Sequence, residues 1–243
     1  MRAQAELSWN HELRLFEELG ITECARVADL GCGPGYVLEQ LKAAMPGREV
    51  FGLDADEDLL GEARTAGAPL VAGDIRHLPL RDASLDATLL RYVVQHLPEP
   101  SDALAEVRRI LRPGGVAALV DVDAQLWGLA EPVRPEMAPV QAKLAREQAG
   151  AGGDRMIGRK LGRLLRRAGF ERIRTRPFAI TSEEHHIDEF AAHLGPDRLG
   201  PLVESGVLSL SEFAVANECW QRFRRDPDAW VMLLGFVVSG SAP

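Results

Sequence analysis

The sequence predicts an α/β fold, a mostly parallel sheet with helices on both faces, and three observations predict it. Short apolar segments alternate with helical patterns through the first half of the chain, the mark of βαβ units. A glycine-rich turn, Asp29-Leu30-Gly31-Cys32-Gly33-Pro34-Gly35, falls between the first such segment and the helix after it. Glycine there permits a sharp turn and close backbone approach to a ligand. Residues 116–122 are almost continuously apolar, as suits a strand buried on both faces. Right-handed crossovers place helices on both sides of such a sheet, and ligands bind beyond the carboxyl ends of its strands.

A helix is expected over 8–20, capped by Ser8, with Trp9, Leu13, Phe16 and Leu19 at helical spacing. The first strand is 26–30, and a helix follows over about 35–45, stopped by Pro46-Gly47. The second strand is 49–53, with a helix after Asp56; the third is 69–72 and the fourth 86–91. Ser101 is expected to cap a helix carrying Leu104, Val107 and Leu111 on one side, broken at Arg112-Pro113-Gly114-Gly115 before the fifth strand, 116–122. Helices are then expected around 140–148, 160–168, 187–194 and 211–224, and strands over 170–176 and 230–239. The long stretches 124–157 and 177–229 exceed what direct connections need, so they read as helical insertions over the active end, where specificity is built.

With 243 residues, 46% hydrophobic and 26% charged, the chain can bury a core without staples and reads as one domain over 1–243. Cys24, Cys32 and Cys219 are too few and scattered for a disulfide framework, no CxxC pair marks zinc, and no metal is expected. The beginning MRAQAELSWN has no apolar h-region and no long apolar run occurs, so neither signal peptide nor membrane span is expected, and a cytoplasmic location is. A net charge of −8 disfavours a nucleic-acid partner. The basic stretch from Arg155 to Arg176 reads first as a solvated helix face and an exposed strand, with an RNA-facing or acidic-partner patch as the alternative.

The glycines fall as GxGxG after an acid, Asp29, rather than as the GxGxxG of a dinucleotide site. An acid beside the turn repels a pyrophosphate and suits a cationic ligand. Asp54 ends the second strand, where a carboxylate can accept both ribose hydroxyls. Gly73-Asp74-Ile75 follows the third, placing a carboxylate and an apolar side chain for an adenine. Alone, Asp54 or Asp74 could be a helix cap; the ordered set points to a ligand. His96, shortly after the fourth strand, is the candidate general base. Asp121 and Asp123 share one face at the end of the fifth strand, open to an acceptor role or to capping and solvent exposure. His185 and His186, as neighbours, do not face one metal. His11 is a cofactor-facing candidate by position alone. Trp127 and Trp220 are candidates to stack an aromatic substrate.

In this order the motifs resemble the class I S-adenosylmethionine-dependent methyltransferases, especially bacterial small-molecule enzymes near the ubiquinone and menaquinone methyltransferases. The resemblance rests on residues 27–35, 52–55, 73–79, 85–88, 95–98 and 111–115, covering about 25–123 with the helix end at 164–170. It implies a Rossmann-like seven-stranded sheet with an antiparallel last strand, a core of about 21–123, 158–176 and 230–240, and a cap of 1–20, 124–157 and 177–229. It implies S-adenosyl-L-methionine as cofactor, held by Asp29, Gly31 and Gly33 at the methionine, Asp54 at the ribose, Asp74 and Ile75 at the adenine, and the Arg91 backbone, with Cys32 and Ala55 also at the cofactor. It implies methyl transfer to a small-molecule substrate, in secondary metabolism, with a homodimer compatible with the insertions. Some members of the resembling family instead catalyse cyclisation or rearrangement in the same pocket.

Overall fold

The computed structural model describes residues 2–126 and 128–243, so Trp127 lies outside the described residues. The chain begins with α1 (Arg2–Glu18). Then β1 (Arg26–Leu30), α2 (Tyr36–Ala44), β2 (Glu49–Asp54), α3 (Glu57–Ala63), β3 (Leu70–Ala72), β4 (Leu85–Arg91), α4 (Pro100–Ile110) and β5 (Leu111–Val122) alternate as expected. Next come β6 (Leu129–Glu131), α5 (Ala138–Gly150), α6 (Leu161–Arg167), β7 (Glu171–Thr181), α7 (Ala191–Leu194), α8 (Gly200–Glu204), α9 (Leu210–Phe223) and β8 (Trp230–Ser241). Among the described residues no helix is long and apolar enough to cross a membrane.

The sheet runs β3-β2-β1-β4-β5-β8, with β7 on the far side of β8. β8 alone runs against the others, pairing antiparallel with β5, β6 and β7. It has eight strands rather than seven. β8 extends past β5: Gly235 to Ser241 pair with β5, and Trp230 to Met232 with β6. The short β6 completes an edge that β5 leaves open.

Period-two alternation divides the core. Val27, Ala87, Leu89 and Val237 pack on one face with Phe16 of α1 and Leu38 and Leu41 of α2. Ala28, Leu30, Leu90 and Val238 pack on the other with Leu104 and Val107 of α4 and Leu161 and Leu165 of α6. A small separate cluster, Val140, Leu199, Leu208 and Ala216, ties α5 to the second insertion.

Two caps differ from expectation. α1 starts six residues before Ser8, whose side chain is fully buried and used elsewhere. α4 begins at Pro100 with Glu99 in the cap position, not Ser101, because proline's fixed φ suits the first helical position. β7 runs five residues beyond Arg176, since β8 offers it a partner as far as Met232.

Candidate functional site

The carboxyl ends of β1 to β4 build one wall. After β1 the chain turns over Gly31 to Gly35 into α2, and β2 fixes that turn. The Gly31 and Cys32 amides donate to the Leu53 carbonyl at 2.6 and 3.0 Å. The Gly33 amide donates to Asp54 Oδ2 at 2.7 Å, and Asp54 Oδ1 accepts from the Asp56 amide at 3.0 Å. One carboxylate thus holds both the glycine turn and the entry to α3. Gly31 has φ +76°, and a Cβ there would lie 2.4 Å from Val93 Cγ2; only glycine gives both the conformation and the clearance.

Asp29 is 2% exposed and set behind the cavity surface. Burial pushes its carboxyl up to about 7; Arg91 opposes the shift, while Asp54 and Glu12 add to it. Burial likewise raises the Cys32 thiol far above its ordinary value, helped by Asp29 and Asp54, which makes it an inert wall residue. Asp74 is engaged by its own neighbour: Oδ1 accepts from the Arg76 amide at 2.8 Å and Oδ2 from Arg76 Nη2 at 2.6 Å. Those bonds hold its carboxyl down at about 2. A carboxylate has about four lone-pair sites, so Asp74 retains acceptor capacity.

A cavity of about 960 Å³ opens before these strand ends, walled by Gly31, Cys32, Gly33, Asp54, Ala55, Asp74, Ile75 and Arg91. Of the expected cofactor residues, Asp29 alone is set back from it. The facing wall comes from elsewhere in the chain: Gln4 and Ala5 of α1, His96 after β4, Gln148 and Arg155 of the first insertion, and His193 and Arg198 of the second.

Specific bonds hold these segments in place. The Gln95 carbonyl accepts from the Asp154 amide at 2.8 Å and from Gln148 Nε2 at 3.1 Å, seating the first insertion on the loop after β4. Arg91 holds α1: Nε donates to Glu12 Oε2 and Nη2 to Ser8 Oγ, each at 2.8 Å. Glu12 and Ser8 are both 0% exposed. Arg91, expected to offer its backbone to a ligand, therefore commits its side chain to the N-terminal helix. Tyr92 follows at φ +56°, with the Arg91 guanidinium 4.3 Å from its ring centroid.

The His96 ring stands at the cavity, and burial and the Arg155 guanidinium lower its pKa. Both effects favour the neutral ring, the form a proton acceptor needs. Sequence reasoning missed His193. It is 4% exposed, and burial, then Arg91 and Arg198, push it down to about 3. It also missed Arg155 and Arg198; the signal was present for Arg155, first of the basic stretch, which leaves the solvated face expected of it.

Trp220 is not on the cavity wall. It is 4% exposed and packs against Phe223 at 6.1 Å, because α9 uses it as a core anchor. Asp121 and Asp123 are 0% exposed, neither solvated nor on the cavity wall. Asp121 accepts from the Gln95 amide at 3.1 Å, and burial raises its carboxyl to about 7. Asp123 accepts from Arg159 Nη2 at 2.8 Å. Both serve the loops that end β4 and β5. His185 does not converge with His186. It meets His11 of α1 and Glu184, their ligating atoms all within 4.8 Å of one another. That cluster lies off the cavity wall, so His11 faces Glu184 rather than the glycine turn.

Residues 28–119 match a methyltransferase domain family. A demethylmenaquinone methyltransferase of Staphylococcus aureus is 32% identical over 114 residues, 44% of this chain and 47% of that protein. The chain spans less than half the length of the curated relatives it matches. Among solved structures, a Haemonchus contortus phosphoethanolamine N-methyltransferase 2 in complex with phosphomonomethylethanolamine and S-adenosylhomocysteine aligns at TM-score 0.60 and 17% identity, covering 99% of this chain and 56% of that one. The [4+2]-cyclase SpnF aligns at TM-score 0.55 and 20% identity, covering 89% and 75%. These two likenesses are of fold.

Proposed function

We propose that the chain, whose residues 28–119 match a methyltransferase domain family, is a class I S-adenosylmethionine-dependent methyltransferase that transfers a methyl group from S-adenosylmethionine to a small-molecule acceptor. One observation carries the reading: one cavity is lined both by the glycine turn and strand ends and by α1 and both insertions. We read the chain as a core of about 21–123, 158–176 and 230–240 under a cap of 1–20, 124–157 and 177–229, and this sharing of one cavity supports that reading.

The residues present fit the cofactor. The turn at Gly31 to Gly33, with Asp29 behind it, would hold the methionine end. Asp54 and Ala55 would hold the ribose, Asp74 and Ile75 the adenine, and the Arg91 backbone would line the rest. The group supplies a methyl on a cationic sulfonium, and the acids of this wall favour that charge. The facing wall would orient the acceptor, with reacting atoms about 3–3.5 Å apart, and exclude water. Neutral His96 would take the proton from an acceptor that must lose one.

A cyclase would use the same cavity, and the fold likeness to SpnF supports keeping that reading second. Calorimetry with S-adenosylmethionine, S-adenosylhomocysteine and NAD tests the premise. Both adenosyl ligands should bind and NAD should not; tight NAD binding with no response to either would overturn it. Release of S-adenosylhomocysteine on turnover separates methyl transfer from cyclisation.

A further inference from the structure

Two cations lining the cavity have no carboxylate partner among the described residues. Arg155 comes from the first insertion and Arg198 from the second, and both line the cavity. Arg155 Nη1 donates to Gln148 Oε1 at 3.2 Å. Arg198 Nη1 donates to the His193 carbonyl. Both partners are neutral, and no Asp or Glu acts on either guanidinium. The fold treats the other arginines lining the cavity differently: Arg91 pairs with Glu12 and Arg76 with Asp74.

The pair is held against its own repulsion. Burial, and then the charge of Arg155, lower Arg198 to about 10; burial lowers Arg155 as well. Two partly desolvated like charges facing one cavity oppose folding, and no acidic group among the described residues neutralises them. Ionisable groups kept in such a state in a cleft mark a binding site. The guanidinium fork matches the oxygens of a carboxylate or phosphate in a way an ammonium does not.

We propose that the acceptor carries an anionic group, a carboxylate or a phosphate, which seats between Arg155 and Arg198 and turns the acceptor's other end toward the glycine-turn wall. Calling this ligand the acceptor rests on the methyltransferase reading; the anion site itself does not. The competing source of the same chemistry is the cofactor's own carboxylate, and the test must tell the two apart.

The test is calorimetry on the full chain saturated with S-adenosylhomocysteine, titrated with inorganic phosphate, with benzoate, and with neutral benzamide as a shape control. The wild type should bind at least one of the two anions and ignore benzamide. Arg155→Gln and Arg198→Gln should each weaken the anion about tenfold or more, the loss expected of a charged hydrogen bond, and leave S-adenosylhomocysteine affinity within about twofold. Arg198 also bonds a backbone carbonyl, so Arg198→Lys provides a second readout: it keeps the charge, loses the fork, and should weaken the anion with an unchanged far-UV spectrum. Anions ignored by the wild type, or bound equally by the variants, would overturn the proposal. So would a parallel loss of S-adenosylhomocysteine affinity, which would assign the guanidiniums to the cofactor's carboxylate. The same titration without nucleoside separates the two readings. Arginine-dependent anion binding in a chain that ignores S-adenosylhomocysteine would remove the methyltransferase reading and leave the anion site standing.

Discussion

Replacing Gly31 and Gly47 by alanine, one at a time, isolates what the glycine turn demands. Their φ values are nearly equal, +76° and +78°. An L-residue in that region costs roughly 1–2 kcal/mol, and both variants incur it. They differ in surroundings. A Cβ at Gly47 would have nothing within 4 Å, whereas at Gly31 it would lie 2.4 Å from Val93 Cγ2 and 3.4 Å from Cγ1. Relieving such a contact by moving packed atoms costs about 1–3 kcal/mol. Gly31→Ala should therefore lose about 2–5 kcal/mol in all and Gly47→Ala about 1–2 kcal/mol. The gain from a stiffer unfolded chain is common to both and cancels in the difference. Urea unfolding followed by circular dichroism measures that difference, which corresponds to a Tm gap of roughly 2–12 °C for a chain of this size. Only Gly31→Ala should also weaken S-adenosylhomocysteine, because Gly31 and Val93 line the cavity and Gly47 does not. Adding Val93→Ala should restore part of the binding. Equal losses of stability in the two variants would refute the steric argument.

Arg91→Met leaves fully buried Glu12 uncompensated and should destabilise the chain by about 3–5 kcal/mol; a loss under about 1 kcal/mol in urea unfolding would show that the pair does not secure α1. Asp54→Ala removes the acceptor of the Gly33 and Asp56 amides. S-adenosylhomocysteine affinity should fall about 10- to 100-fold, the effect of losing a charged hydrogen bond, and an unchanged Kd would confine Asp54 to a structural role. Asp29 sits at about 7 against an ordinary 3.8. Between those values the native state holds the extra proton, so its contribution to stability falls as pH rises through that window. Asp29→Asn should flatten part of the slope, and an unaltered pH profile would contradict the assignment.

The parts of the fold and site written in local pattern were legible. Alternation marked β1 to β5, and the spacing of Gly31, Gly33, Asp54, Asp74 and Ile75 marked one cavity wall, with Asp29 behind it. What stayed hidden depends on distant partners. Ser8 has the chemistry of a cap, but Arg91, 83 residues away, draws it into the core. β6 carries no strand signal of its own and pairs only because β8 outruns β5. Trp220 could equally be a stacking platform or a core anchor until Phe223 and its neighbours are in place. Arg155 and Arg198 meet only after two insertions fold over the sheet, so neither spacing nor composition pairs them. His11 reaches Glu184 and His185 by the same kind of long-range meeting.

Each wall of the cavity comes from a different part of the chain, and that has consequences for how such a gene diversifies. The strand-end wall is one nearly continuous stretch that its own hydrogen bonds close, so it tolerates little drift. Apart from α1 and His96, the facing wall hangs on segments anchored at their ends by β5, β7 and β8. Recombination or gradual mutation within those segments can retire Arg155 or Arg198 and admit a different guest while the strand-end wall is inherited intact. In a duplicated copy, the residues lining one side of the cavity could change without disturbing the bonds that close the other.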